Sequence, residues 1–291
     1  MTRPAFLFLL LAGAMPAVQA KLAEEVIEVP VTVADMYGKS VTMPIVVTVF
    51  SDDRNPRPAP VLVLNHGRAA EAPDRAELGR ARYSEVSRFF VRQGFIVAVP
   101  TRVGYGVTAG PDVEYSGPCE KKNYPPGYKA AAEQALAALA VVRERPDAAR
   151  DRTVMLGQSY GGVTAIGVAA LGAPGVQVAI NFAGGGGGSP KLRPQQPCQP
   201  QQMERLFRDY GRGARIPTLW IYTENDSYLG AEYPRQWHAA FAQAGGRSEF
   251  VQYPPHGEDG HSLLTRHPKT WQPKVLEFLR ANGYAVKPET P

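Results

Sequence analysis

Val154-Met155-Leu156-Gly157-Gln158-Ser159-Tyr160-Gly161-Gly162-Val163 joins a short apolar run to a helical pattern through a serine set between two glycines. The run 154–156 reads as a buried strand, and residues 163–171 read as a helix. A strand that turns at once into a helix bends sharply. Glycine at 157 and 161 lets neighbouring backbone pass where a Cβ would clash, and Gly162 lets the helix sit close. At such a bend Ser159 takes a strained backbone conformation and presents its Oγ at the sheet edge. The plainer alternative is a serine that caps a helix after a glycine turn.

A further strand is read at 248–253; outward from the opening stretch, short apolar runs recur at 61–64, 95–99, 176–182 and 218–222. They are nearly continuous rather than alternating, which suits parallel strands buried on both faces. Residues 26–33 and 41–50, separated by Met36-Tyr37-Gly38-Lys39, read as an antiparallel pair at the sheet edge. Helical spacing appears at Val86, Phe89 and Phe90, at Leu136, Leu139 and Ala140, over 233–244, and at Val275, Phe278 and Leu279. Strand and helix therefore alternate, predicting a doubly wound α/β sheet with helices on both faces and a site at the C-terminal strand ends. Two irregular stretches, 101–128 and 184–202, follow strands and are read as loops over that site. Residues 21–291 are read as one domain.

A hydroxyl needs a base to become a nucleophile. Of the five histidines, His66 ends a strand, His238 falls in a helix and His267 precedes Pro268. His256 and His261 remain, both in the loop after 248–253; His261, flanked by Asp259, Gly260 and Ser262, is preferred over His256. A carboxylate to orient the imidazole should follow the strand 218–222, where Glu224 and Asp226 both stand. Asp226 is preferred over Glu224 on side-chain geometry. The order Ser159, Asp226, His261 differs from that of chymotrypsin-like and subtilisin-like enzymes. Donors for an oxyanion are assigned to the backbone N–H of Tyr160, at the helix start, and of Arg68, in Asn65-His66-Gly67-Arg68. His66-Gly67 taken alone is also an ordinary strand-ending turn. Arg68 and Arg102 are placed at the mouth of the site, and Tyr105, Tyr115 and Tyr160 on the walls of a substrate pocket.

Hydrophobic residues at 44% and charged residues at 20% of 291 match a globular protein and exclude collagen-like repetition or a multi-span membrane protein. The net charge of +5 is spread without a basic stripe, so nucleic acid is not an expected partner. The N-terminus carries Arg3, an apolar stretch at 5–15 and Ala17-Val18-Gln19-Ala20. This is the pattern of a secretory leader cleaved after Ala20; an uncleaved anchor is the alternative, although the apolar stretch is about half the roughly 20 residues that span a bilayer. A secreted or periplasmic product, with no membrane attachment after cleavage, is expected. In that compartment Cys119 and Cys198 pair as one disulfide, two buried thiols being the alternative. No metal-binding spacing occurs, and no metal is expected.

With these residues in place, the chain resembles the α/β-hydrolase superfamily over residues 24–284, and within it the dienelactone hydrolase-like branch. The resemblance rests on Leu64-Asn65-His66-Gly67, Gly157-Gln158-Ser159-Tyr160-Gly161-Gly162, Asp226 and Asp259-Gly260-His261. It implies an eight-stranded, mostly parallel sheet and acyl transfer to water without a cofactor. Dienelactone hydrolases proper carry a cysteine nucleophile where this chain has Ser159, so the resemblance implies an exported carboxylic-ester hydrolase acting on a small-molecule ester rather than a dienelactone enzyme. Two other readings stand beside it: a peptidase resembling the prolyl-oligopeptidase catalytic domain, against which the hydrolase domain consumes the chain beyond residue 20, and a non-catalytic binding module on the same fold.

Overall fold

The structure, a computed structural model, describes residues 22–287. The expected leader, residues 1–20, lies outside them. The chain runs β1 (Leu22–Ala34), β2 (Ser40–Asp52), β3 (Ala59–Asn65), α1 (Ala72–Ala76), α2 (Ser84–Arg92), β4 (Ile96–Thr101), α3 (Tyr124–Arg143), β5 (Ala148–Gln158) and α4 (Tyr160–Leu171). It continues through β6 (Val176–Phe182), α5 (Pro200–Gly213), β7 (Thr218–Thr223), α6 (Glu232–Gln243), β8 (Ser248–Tyr253), α7 (Leu263–Arg266) and α8 (Pro268–Ala281).

The strands form one eight-stranded sheet in the order β1-β2-β4-β3-β5-β6-β7-β8. β1 and β2 form the antiparallel edge, β2 meets β4 antiparallel, and from β4 to β8 every pairing is parallel. Side chains alternate faces along a strand, and both faces are covered. Val61 and Val63 of β3 point into a core shared with α3 to α6, while Leu62 and Leu64 point into the opposite core with α2 and α8. β5 repeats this, with Met155 on the first side and Val154 and Leu156 on the second. That is why the strands read as unbroken apolar runs.

Sequence and structure differ at the two irregular stretches. The first ends at Asn123, because Tyr124 already opens α3, with prolines in its first turn where the missing N–H does no harm. The second ends at Gln199, where α5 begins with Pro200. α5 was not foreseen, although Met203, Leu206 and Phe207 keep helical spacing and are buried. The buried face of α3 also differs from the one expected on Leu136, Leu139 and Ala140. Ala131, Ala135, Ala138, Leu139 and Val142 face the core, and Ala140 is exposed. Among the described residues no helix is long and apolar enough to cross a membrane.

The order β4-β3-β5 reverses the direction of the chain's progress across the sheet. Loops leaving β3 and β5 part there, opening a crevice at the C-terminal strand ends. Gly67 and Ser159 are the residues that flank it.

Candidate active site

Ser159 has φ 57° and ψ −123°, a conformation that L residues seldom adopt. The surroundings hold it there. Its N–H donates to Phe182 O at 2.8 Å, and its carbonyl accepts from Gly162 N–H at 2.9 Å. A Cβ on Gly157 would lie 2.0 Å from Gly161 O, and one on Gly161 would lie 2.0 Å from Asn65 O. The glycines at 157 and 161 are thus required by close backbone approach. Ser159 occupies the N-cap position of α4 without a side-chain cap bond, so the capping alternative does not hold.

His261 and Asp226 meet across 35 residues of sequence. Asp226 is fully buried, and its Oδ2 accepts from His261 Nδ1 at 2.8 Å. Its other oxygen accepts the N–H groups of Tyr228 at 2.9 Å and Leu229 at 3.0 Å. With a carboxylate as acceptor, Nδ1 carries the proton and Nε2 keeps its lone pair. Burial alone would lower the His261 pKa; the charge of Asp226, its hydrogen bond and the charge of Asp259 outweigh it and hold the imidazole above its ordinary value. Asp259 also shapes the loop, since its Oδ1 accepts from His261 N–H and Ser227 N–H, both at 3.0 Å, and its Oδ2 from Ser227 Oγ at 2.6 Å. Gln158, next to the serine, donates from Nε2 to His261 O at 2.8 Å and ties the two loops together.

The competing residues lie elsewhere. His256 is exposed to partly buried, with Nδ1 on Pro254 O at 2.8 Å, and Glu224 lies 3.8 Å from Arg235. His66 is buried with both ring nitrogens occupied: Nδ1 donates to Gly67 O at 2.7 Å and Nε2 accepts Arg102 N–H at 3.2 Å. Burial, then the Arg102 guanidinium, holds its pKa well below the imidazole range, so it stays neutral.

Ser159 and His261 line one cleft of about 390 Å³. No hydrogen bond joins Ser159 Oγ to His261 among the described residues; such bonds commonly tighten only when substrate is bound. The turn after β3 flanks the serine, for a Cβ on Gly67 would lie 3.2 Å from Ser159 Cβ. Gly67 N–H donates to Tyr83 Oη at 3.4 Å, whereas Arg68 N–H has no protein acceptor among the described residues. The Tyr160 N–H opens α4, where the first amides of a helix lack partners within it.

Two residues placed at the substrate on sequence grounds are not there. Arg102 is fully buried, donating from Nε to Glu114 Oε1 at 2.5 Å and from Nη1 to His66 O at 2.9 Å. Tyr105 is buried beside it, with its hydroxyl on Glu114 Oε2 at 2.5 Å. A guanidinium taken out of water needs a carboxylate, and Glu114 supplies it. Nothing in the local sequence marked that partnership. Tyr115 does line the cleft and is exposed; Tyr160 lines it from a buried position, its ring stacked on Tyr128 at 4.0 Å. Arg68 reaches the cleft with its guanidinium on Asp112, at 2.8 and 2.6 Å.

Cys119 and Cys198 are bonded, with Cα atoms 5.0 Å apart, and both line the cleft. The disulfide ties the two irregular stretches across its mouth. Tyr228, Lys122 and Arg193, which also line the cleft, were missed by sequence reasoning. Tyr228 follows Asp226 by two positions, and Lys122 and Arg193 lie in the two stretches read as loops over the site; those were the available signals.

No family model matches the chain, and no curated protein does. Solved structures do. An acetyl xylan esterase from Paenibacillus sp. R4 superposes with TM-score 0.59 at 18% identity, over 91% of this chain and 90% of that one. A Klebsiella pneumoniae protein named as a dienelactone hydrolase gives 0.57 at 15% identity, over 88% and 98%. The chain has the α/β-hydrolase fold. The Pyrococcus horikoshii acylaminoacyl peptidase gives 0.63 at 13% identity, over 94% of this chain but 44% of the peptidase, so the chain spans less than half of that protein's length.

Proposed function

We propose that the protein is an exported serine hydrolase that cleaves carboxylic esters through an acyl-enzyme. The observation that carries this reading is the buried 2.8 Å contact of His261 Nδ1 with Asp226, opening on the same cleft as the strained Ser159. Ser159 Oγ attacks the ester carbonyl while His261 Nε2 takes its proton. The C–O bond to the alcohol breaks as the imidazolium returns that proton to the departing oxygen. Water, activated by the same nitrogen, then attacks the acyl-serine and releases the acid. Asp226 keeps the productive tautomer and stabilises the imidazolium. The amides of Tyr160 and Arg68 are the oxyanion donors, each typically worth about 10²-fold or more in rate. Export is supported by the leader-like N-terminus and by the disulfide.

The likeness to the acylaminoacyl peptidase supports a second reading, amide cleavage by the same residues. Both are tested together. Purified protein is assayed on short-chain aryl esters and on dipeptidyl amides, and a serine-directed phosphonate is located by mass spectrometry. The ester reading expects an adduct on Ser159, ester turnover above amide turnover, and loss of many orders of magnitude in a folded Ser159→Ala variant. Amide turnover in excess of ester turnover selects the peptidase. A Ser159→Ala variant that keeps ester turnover rejects Ser159 as the nucleophile of either reading, and the absence of any adduct together with the absence of turnover favours a binding module.

A further inference from the structure

The cleft beside Ser159 holds more positive charge than its own carboxylates neutralise. Arg68, Arg75, Lys122 and Arg193 line it, against Glu71 and Asp112. Asp112 is shared by two of the cations, Arg68 at 2.6 Å and Arg75 at 3.1 Å. Lys122 and Arg193 make no ion pair among the described residues. Lys122 Nζ gives one of its three protons to Gly117 O at 2.5 Å. Arg193 donates from Nη2 to Cys198 Sγ at 2.8 Å, and its Nε is buried with no partner among the described residues. Burial first, then the charges of Arg68 and Arg193, push the Lys122 pKa down and outweigh the opposing charges of Asp112 and Glu120, so these cations lie within electrostatic reach of one another. Half-buried like charges destabilise a fold unless an anion offsets them.

The adjoining wall is bare backbone. None of the N–H groups of residues 184–188 has a protein acceptor among the described residues, and Gly185 to Gly188 line the cleft. Side chains are excluded there: a Cβ on Gly186 would lie 2.5 Å from Tyr128 Oη, and one on Gly187 2.4 Å from Tyr124 Oη. Successive unpartnered amides beside cations form a concavity that suits an anion.

We propose that this wall is a carboxylate subsite, in which Lys122, Arg193 and the amides of Gly185 to Gly188 receive a negative charge carried by the ester substrate. It rests on the ester-hydrolase reading and names the substrate class of that same cleft. The carboxylate belongs to either the acyl or the alcohol half, and two pairs of substrates separate these sources. Phenyl hydrogen adipate against phenyl hexanoate tests the acyl half; 4-acetoxybenzoate against 4-acetoxybenzamide tests the alcohol half.

The expected result is that kcat/KM for the charged member exceeds that for its neutral partner about tenfold or more in one pair, a preference that shrinks as salt is added. In Lys122→Gln and in Arg193→Gln the charged-to-neutral ratio falls about tenfold, and Lys122→Arg restores most of it. Parity within both pairs in the unmodified protein, or variants that leave the ratio unchanged, overturns the subsite while leaving ester hydrolysis standing. If no ester is cleaved, the hydrolase reading fails by itself, and calorimetry with benzoate and benzamide decides the subsite. Benzoate binding that is lost in Arg193→Gln supports it; equal or absent binding of the two overturns it.

Discussion

Tyr228 lies flat against the imidazole of His261, ring centroids 4.2 Å apart and planes 27° apart. The backbone N–H of the same residue binds Asp226 Oδ1, so Tyr228 holds the carboxylate with its main chain and the imidazole with its ring. A stacked ring fixes the imidazole plane and faces the imidazolium with its negative π surface when the proton arrives.

Tyr228→Ala is therefore expected to lower kcat about tenfold, and Tyr228→Phe to retain most of it, because the face of the ring does the positioning. Steady-state kinetics on an aryl ester checks this. A Phe variant as impaired as the Ala variant would assign the effect to the hydroxyl instead.

In the proposed mechanism His261 acts as a base and needs the neutral imidazole, whose pKa is raised above the ordinary value of about 6.5. kcat/KM is expected to fall as pH drops through an acid limb lying above that value. The linked stability has the opposite sense. The imidazolium paired with Asp226 stabilises the fold below the unfolded pKa, and the contribution is lost as pH rises through the folded one. In Asp226→Asn the acid limb moves down and kcat falls about 10⁴-fold. A pH–rate profile together with proton NMR of the imidazole measures both; an acid limb at or below 6.5 in the unmodified protein contradicts the expectation.

Gly157→Ala puts a methyl group 2.0 Å from Gly161 O, against backbone that cannot move without disturbing Ser159. Destabilisation of about 3 kcal/mol and loss of activity are expected. Urea unfolding midpoints give the first quantity. An Ala variant of unchanged midpoint would show that the turn relaxes freely.

Arg102 and Glu114 are both inaccessible to solvent and pair at 2.5 Å behind the turn after β3. Removing one partner strands the other charge. Glu114→Gln is expected to cost about 3–5 kcal/mol. Because Arg102 also donates to His66 O, adjacent to Gly67, the variant should raise the barrier for ester cleavage beyond what its unfolded fraction explains. Active-site titration with a phosphonate separates the two effects.

Opening the Cys119–Cys198 bond frees a 79-residue span and unties the two stretches at the cleft mouth. The Cys119→Ala, Cys198→Ala double variant should lose about 4 kcal/mol of stability. KM should rise more than kcat falls, since Ser159, Asp226 and His261 lie on other loops. Thermal unfolding and kinetics under reducing and oxidising conditions provide the check; a kcat loss with KM unchanged goes against it.

Legibility followed the range of the interactions. The central strands could be read because a strand buried on two faces has a nearly continuous apolar text, and the edge pair β1 and β2 because a turn separates two β-rich stretches. α5 hid in a Pro- and Gln-rich passage, although Met203, Leu206 and Phe207 carried its period. The face of α3 was misread because alanine is neutral evidence. Burial of Ala131, Ala135 and Ala138 reflects how closely the helix packs, which no alanine announces. Arg102 and Tyr105 read as groups at the mouth and wall of the cleft, and it is Glu114 that turns them inward.

The periodicity of apolar residues and the glycines around Ser159 already specify the alternating sheet and the sharp turn, since both depend on neighbours a few positions apart. Asp226 against His261, the two cysteines at 119 and 198, and the cations gathered at Lys122 and Arg193 depend on contacts across tens of residues. Parallel crossovers bring such segments together at the strand ends; chain order and side-chain geometry could point to Asp226 over Glu224, but a linear text holds no record of which cations will arrive there.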